Sequence, residues 1–353
     1  MLNNKSILIT GGTGSLGKAL TKEILTKYPQ IKQIIIYSRN EQKQYEMAQE
    51  ALNWGFEAAQ IQAKIRFVIG DIRDIQQLRN ACKNKGQNID IIIHAAALKH
   101  IDLAENNPLE CIKTNIGGAE NIIEVVQNLN IQTIIAISTD KACSPTSVYG
   151  ASKLCADRLF VDANNENSKF SVVRYANFFA SVGSVVPFFQ KEKEKNILPI
   201  THIETTRFSL TMQEATEIAL DILEKSLEHS TKNTTENSVA NSAEKSFGGE
   251  IFVPKLRSYK ITDLATAIAP KAALNIIGLR QGEKIHEEML NATEANCAFE
   301  TEKYYIIAPK KQLLESYKKH YNGKEIPANF SLISNQNHSW ISQNELLEMM
   351  ENL

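Results

Sequence analysis

The chain has 353 residues, 43% of them apolar, with 39 basic and 40 acidic side chains and a formal net charge of −1. That length allows two domains or one large α/β domain with a sizeable core, and the near-neutral balance gives no bulk attraction to nucleic acid or an anionic membrane. Five scattered cysteines without a C-x-x-C pair fit a reducing compartment. With no signal peptide before the first strand and no apolar run near the roughly 20 residues of a membrane span, a cytoplasmic location is expected.

Residues 6–10, SILIT, are a β-branched apolar run, followed by Gly11, Gly12, Thr13, Gly14, Ser15, Leu16 and Gly17 and then a stretch with helical apolar spacing. Strand, tight turn and helix in this order satisfy G-x-G-x-x-G. Its glycines let the backbone approach a pyrophosphate at a helix N-terminus. The next strand, IIIY at 34–37, ends in Ser38-Arg39, with Lys43 close behind. An NAD site usually carries an acid there for the ribose 2′-OH. A hydroxyl, a guanidinium and an amine suit a 2′-phosphate instead, so NADP is the expected cofactor. Further strands are predicted at 65–71, 89–96, 132–139 and 170–177, separated by helices. Such near-continuous apolar strands mean a parallel sheet covered on both faces, with ligands along its carboxyl rim.

Residues 138–153, STDKACSPTSVYGASK, hold most of the proton-transfer chemistry. Tyr149 and Lys153 lie four apart on a predicted helix and so share a face. A lysine there can hold a nicotinamide ribose and, by its charge, lower the tyrosine pKa. Asp140-Lys141 sets an acid beside an amine, so that one group can give a proton while the other accepts one. Working as a base requires a neutral Lys141, with burial and Lys153 expected to depress its pKa and Asp140 to oppose that. The plain alternatives are a surface ion pair and an ordinary amphipathic helix. Beyond residue 178, helices are predicted in VVPFFQKEKEK, QEATEIALDILEKSLEH and ITDLATAIA, a strand in GGEIFVPK, a charged turn leading into a helix in LRQGEKIHEEML, and a last helix in ISQNELLEMMENL. The polar run 229–246 has almost no large apolar residues to bury and is expected to be a disordered loop. No cluster suggests a metal.

These segments resemble the extended short-chain dehydrogenase/reductases, and most closely the inverting UDP-N-acetylglucosamine 4,6-dehydratases of the pseudaminic acid pathway. The likeness rests on TGGTGSLG, YSRNEQKQYEM, GDIRD, HAAALKH, ECIKTNIGGAENI, STDKA, VYGASKLCADRLF, TTRF, GGEIFVPK and GLRQGEKIHEEM in order. It implies oxidation at sugar C4 with Tyr149 as base, proton handling at C5 by Lys141, protonation of the departing C6 oxygen by Asp140, and polarisation of the C4 oxygen by Thr139. It implies cofactor contacts from Thr13, Gly14, Ser15, Leu16, Ser38, Arg39, Lys43, Asp71, Ile72, Ala95, Tyr149, Lys153 and Phe178. Lys99, Asn177, Arg280 and Glu283 match substrate contacts, and Arg207 is a weaker candidate. Asn115 matches a structural asparagine, while His94 and His100 receive no role. A homo-oligomer, a hexamer, is implied.

The expected fold is α/β: a Rossmann-type doubly wound parallel sheet with a smaller C-terminal substrate-binding domain. Residues 1–178 would form the NADP-binding part, with about 205–228 and 248–262 returning to it, and 179–353 would be mainly substrate-binding. The chain departs from the family pattern at Ala176, Phe178-Phe179, Val182 and Gln281, where a glycine, small aliphatics, an arginine and a proline are usual. Rivals on the same scaffold are a retaining dehydratase or an epimerase, and outside catalysis an NADP-sensing module.

Overall fold

The computed structural model describes residues 2–84, 86–180, 183–232 and 247–351, with the backbone alone for 84 and 229–232. Val182 and residues 233–246 of the expected loop lie outside the described residues. Ten segments, isoleucine-rich in the first five, become the strands β1 (Ser6–Thr10), β2 (Gln33–Ser38), β3 (Ile65–Ile69), β4 (Ile91–His94), β5 (Thr133–Thr139), β6 (Lys169–Tyr175), β7 (Glu250–Pro254), β8 (Ala298–Glu300), β9 (Tyr304–Ile307) and β10 (Lys324–Glu325) of one ten-stranded sheet. Its order is β10-β8-β9-β7-β6-β5-β4-β1-β2-β3. From β3 through β7 every pairing is parallel, and beyond β7 every pairing is antiparallel. Every residue of β1, β4, β6 and β7 is buried, as a sheet layered on both faces requires.

Helix α1 (Ser15–Lys27) follows β1 and inserts Leu16, Leu20, Ile24 and Leu25 into the core, the i, i+4, i+8, i+9 face of an amphipathic helix. Helices α2 (Gly118–Leu129), α3 (Val148–Ala163) and α4 (Met212–Lys232) cover the remaining faces; α4 packs on α1, β5 and β6. Because β2 and β4 flank β1, the strand order reverses there, and the carboxyl rim opens into a crevice at that switch point. A second apolar cluster, including Phe179, Val186, Phe189, Leu198, Tyr259 and Leu264, stands above this rim. No described helix is long and apolar enough to cross a membrane.

Two local expectations are corrected, and a third segment is placed more finely. Residues 288–290 form a strand that pairs with Leu332–Ile333 instead of entering a helix, because Met289 and Leu290 are drawn fully into the core. Strands β8–β10 extend the main sheet, although they fall in the stretch expected to be mainly substrate-binding. Helix α4 continues to Lys232, into the start of the expected loop; its sequence there has no glycine or proline to stop it.

Candidate active site

The glycine turn after β1 is built to bring backbone against backbone. A Cβ on Gly17 would lie 2.3 Å from the Gly12 carbonyl oxygen, and Gly11 has φ +65° with a virtual Cβ 2.9 Å from the Ala96 nitrogen. Gly14 caps α1 without any side-chain hydrogen bond, so first-turn N–H groups remain free for an anion. These features fit a dinucleotide pyrophosphate. They open on a cavity of about 1220 Å³, larger than the roughly 300–1,000 Å³ of a single small-ligand site. Thr13 to Leu16, Ser38, Arg39, Lys43, Ile72, Ala95, Lys153 and Phe178 line it, as do Lys99, Asn177, Arg280 and Glu283. Asp71 does not line it: its carboxylate takes Arg73, with NH2–Oδ2 at 2.7 Å, and lies 3.5 Å from Arg39.

Strand β5 ends at the rim and delivers Thr139, Asp140 and Lys141 through one turn of 3₁₀ helix. Ser147 caps the following α3 by accepting from the Gly150 N–H at 3.1 Å, which turns Tyr149 back toward that strand end. Tyr149 and Thr139 line the same wall, and the Thr139 hydroxyl donates to Asp140 Oδ1 at 2.9 Å. The Lys141 ammonium donates to Asp140 Oδ1 at 3.1 Å and to Asn177 Oδ1 at 2.8 Å, and lies 3.2 Å from Glu287 Oε1. One connected network therefore joins a hydroxyl, two carboxylates and an amine, with the Tyr149 phenol on the same cavity wall.

The electrostatics correct the expected balance. Burial works against the Lys141 charge, but the Asp140 and Glu287 carboxylates outweigh it and hold the amine above the ordinary lysine range. Arg207, and not Lys153, is the cation that opposes them. Burial raises the Asp140 carboxyl despite Lys141, whereas Glu287, also raised by burial, is pulled below the usual range by Lys141 and Arg207. Of the two carboxyls, Asp140 is thus the one shifted toward its protonated form and Glu287 the one shifted toward its anion. Burial pushes Tyr149 up to about 12, with Lys141 and Thr139 pulling the other way. Lys153 lines the same cavity as Tyr149; its amine donates to the Ile137 carbonyl at 2.9 Å, and burial lowers its pKa.

On the opposite wall, Glu283 accepts from Thr201 Oγ1 and Arg207 NH2, each at 3.0 Å, and from Arg280 Nε at 3.2 Å. Arg280 keeps most of its side chain in solvent, free to meet an anion. Arg207 is buried, spends donors on the Thr206 and Ile285 carbonyls, and braces Glu283 and Glu287. Gln281, in place of the usual proline, donates to Glu105, and the neighbouring Gly282 has φ +74° with a virtual Cβ 2.8 Å from Ser147 Cβ. Phe178 sets its ring edgewise on Tyr175 at 5.7 Å. Asn115 ties the Leu98 backbone to Ser152, and burial lowers the pKa of His94 to about 3 while Nδ1 meets Thr10; both are structural. Sequence reasoning missed Glu287 and Tyr259, a cavity-lining phenol near Lys141 that burial pushes up to about 12. The only linear signal for Glu287 was its place in the charged segment 279–290.

Comparison with known proteins agrees with this geometry. A family model described as "Polysaccharide biosynthesis protein" matches residues 7–309. The chain is 42% identical to the UDP-N-acetylglucosamine 4,6-dehydratase (inverting) of Campylobacter jejuni subsp. jejuni serotype O:2, over 99% of this chain and 98% of that protein. It is 32% identical to a UDP-glucose 4-epimerase of Rickettsia bellii, covering 100% and 97%. The crystal structure of Pen from Bacillus thuringiensis superposes with a TM-score of 0.82 at 30% identity, covering 100% of this chain and 98% of that one. The chain therefore belongs to the extended short-chain dehydrogenase/reductase superfamily and, within it, to the polysaccharide-biosynthesis family alongside the inverting UDP-N-acetylglucosamine 4,6-dehydratases.

Proposed function

We propose that the protein catalyses NADP-dependent, C5-inverting 4,6-dehydration of UDP-N-acetylglucosamine to UDP-2-acetamido-2,6-dideoxy-β-L-arabino-hex-4-ulose. The observation that carries this reading is the buried Asp140–Lys141 pair, bonded to Thr139 and set beside Tyr149 at the cavity wall. An epimerase needs a base at C4 and room for the ketone to turn; an acid and an amine beside that base serve elimination. The named activity of the 42% identical relative supports the same substrate. Ser38, Arg39 and Lys43 at the end of β2 would hold the 2′-phosphate, and free N–H groups of α1 the pyrophosphate.

The bound nicotinamide supplies the acceptor for the C4 hydride and its return to C6. Tyr149 takes the C4 hydroxyl proton and holds it, while Lys141 gives its own ammonium proton to Asp140 along their 3.1 Å hydrogen bond. Lys141, having passed its own proton into the pair, accepts the one on C5, and Asp140 protonates the C6 oxygen as water leaves. Proton delivery to the opposite face of C5 inverts that centre. Arg280 would clamp the diphosphate, with Lys99 and Asn177 on the sugar side. Residues 1–178 would hold the cofactor and the part above the rim the sugar nucleotide. Pseudaminic acid-type synthesis for flagellin or surface glycans, a cytoplasmic setting and a homo-hexamer complete the reading. Wild-type protein given UDP-N-acetylglucosamine and NADP⁺ should release the inverted 4-keto sugar; a product that keeps the C5 configuration or its C6 hydroxyl would reject it.

A further inference from the structure

Glu287 stands 146 residues away from Lys141 in the chain yet touches its amine, Oε1 to Nζ at 3.2 Å. It is 3% exposed, on the coil that leads into strand 288–290. Its backbone is pinned from both sides: its N–H donates to Ser334 Oγ at 2.9 Å, and the Ser334 N–H donates to its carbonyl at 2.8 Å. Arg207 Nε lies 3.7 Å from Oε1. The second oxygen, Oε2, is buried without a hydrogen-bond partner, as is Asp140 Oδ2. Unpaired carboxylate oxygens are costly in a protein interior and call for an explanation. A polar cavity of about 80 Å³, bounded by Lys141, Asn177, Arg207, Glu283 and Glu287, lies against the pair. It has room for several waters at the roughly 10–15 Å³ each requires.

The charges around Lys141 show what Glu287 adds. Asp140, Glu287, Arg207 and the phenols of Tyr149 and Tyr259 face it; Lys141, Arg207, Lys284, Asp140 and Tyr259 face Glu287. Elimination needs Asp140 protonated just when Lys141 accepts the C5 proton. Asp140 is then neutral and offers no counter-charge to the new ammonium. Glu287 is the remaining anion in contact. Resting on the dehydratase reading, we infer that Glu287 is a positioning residue for the C5 proton transfer, holding the Lys141 amine toward the sugar and balancing its charge while Asp140 carries a proton. In that step the C5–H bond breaks and an N–H bond forms on Lys141. The electron pair moves onto the C4 carbonyl oxygen; in the following step it returns to close C5=C6 as the C6–O bond breaks, and the Asp140 proton leaves in water.

The test compares wild type, Glu287→Gln, Glu287→Asp and Lys141→Met as full-length protein with NADP⁺ and UDP-N-acetylglucosamine, including substrate deuterated at C5. Loss of the anion should lower kcat of Glu287→Gln about 100-fold, the scale of a misplaced reacting group, with KM nearly unchanged. Both limbs of its kcat–pH profile should move to lower pH, because Lys141 and Asp140 both lose a neighbouring negative charge. The C5 deuterium isotope effect should rise, and Glu287→Asp should recover part of the rate and of the profile. A wild-type rate, profile and isotope effect in Glu287→Gln, alongside an inactive Lys141→Met, would overturn the role of Glu287 alone. An active Lys141→Met would overturn it together with the dehydratase reading. If Glu287→Gln does not fold, a folded Glu287→Asp with wild-type profile and isotope effect overturns it equally.

Discussion

Replacing Lys141 by methionine removes one charge from the centre at nearly constant volume. In the wild type that charge is shared between Asp140 and Glu287, whose side chains are 1% and 4% exposed. Breaking a buried pair by deleting one partner costs about 3–5 kcal/mol. Two features reduce it here: Glu287 keeps Arg207, and Asp140 can take up a proton. About 2–3 kcal/mol at neutral pH is therefore expected. Without Lys141, burial and Glu287 would raise the Asp140 pKa further. A carboxyl raised on folding destabilises above its unfolded pKa, so the deficit should shrink as pH falls through the folded value. Urea denaturation of both proteins at pH 8 and pH 5 measures this. An equal deficit at the two pH values, or none at pH 8, would refute the argument that Lys141 neutralises buried carboxylates. Dehydration by the variant should be lost while NADP⁺ still binds with nearly wild-type affinity.

Two further outcomes test the cofactor cradle. Gly17→Ala places a methyl group 2.3 Å from the Gly12 carbonyl oxygen, so the turn must move; NADPH binding followed by fluorescence should be severely weakened, with about 2–3 kcal/mol of stability lost. Arg39→Ala should weaken NADP⁺ by about 10- to 100-fold, the worth of charge-assisted hydrogen bonds to a phosphate, and leave NAD⁺ nearly unchanged; equal effects on both in isothermal titration would remove the 2′-phosphate from that corner.

Much of the sheet was legible because its strands carry their own signal. SILIT and the isoleucines of 34–36 and 91–93 are buried on both faces, so continuous apolar runs mark them within a residue or two. Tyr149 and Lys153 could be placed together because helical spacing alone sets them on one face. Glu287 could not: its partner comes from another element, and nothing within its own segment distinguishes a buried carboxylate from a solvated one. The three-residue strands 288–290 and 298–300 are too short to show a period of two. The set of charges around Lys141 was incomplete for the same reason, since one of its two carboxylates was invisible in the linear sequence.

The most direct test is proton NMR of wild-type protein turning over UDP-N-acetylglucosamine with NADP⁺ in deuterium oxide. The account predicts a 4-keto product with a C6 methyl group, deuterium at C5 and ring couplings of the inverted L-arabino configuration. A product with the original C5 configuration, or a simple C4 epimer retaining its C6 hydroxyl, would contradict it.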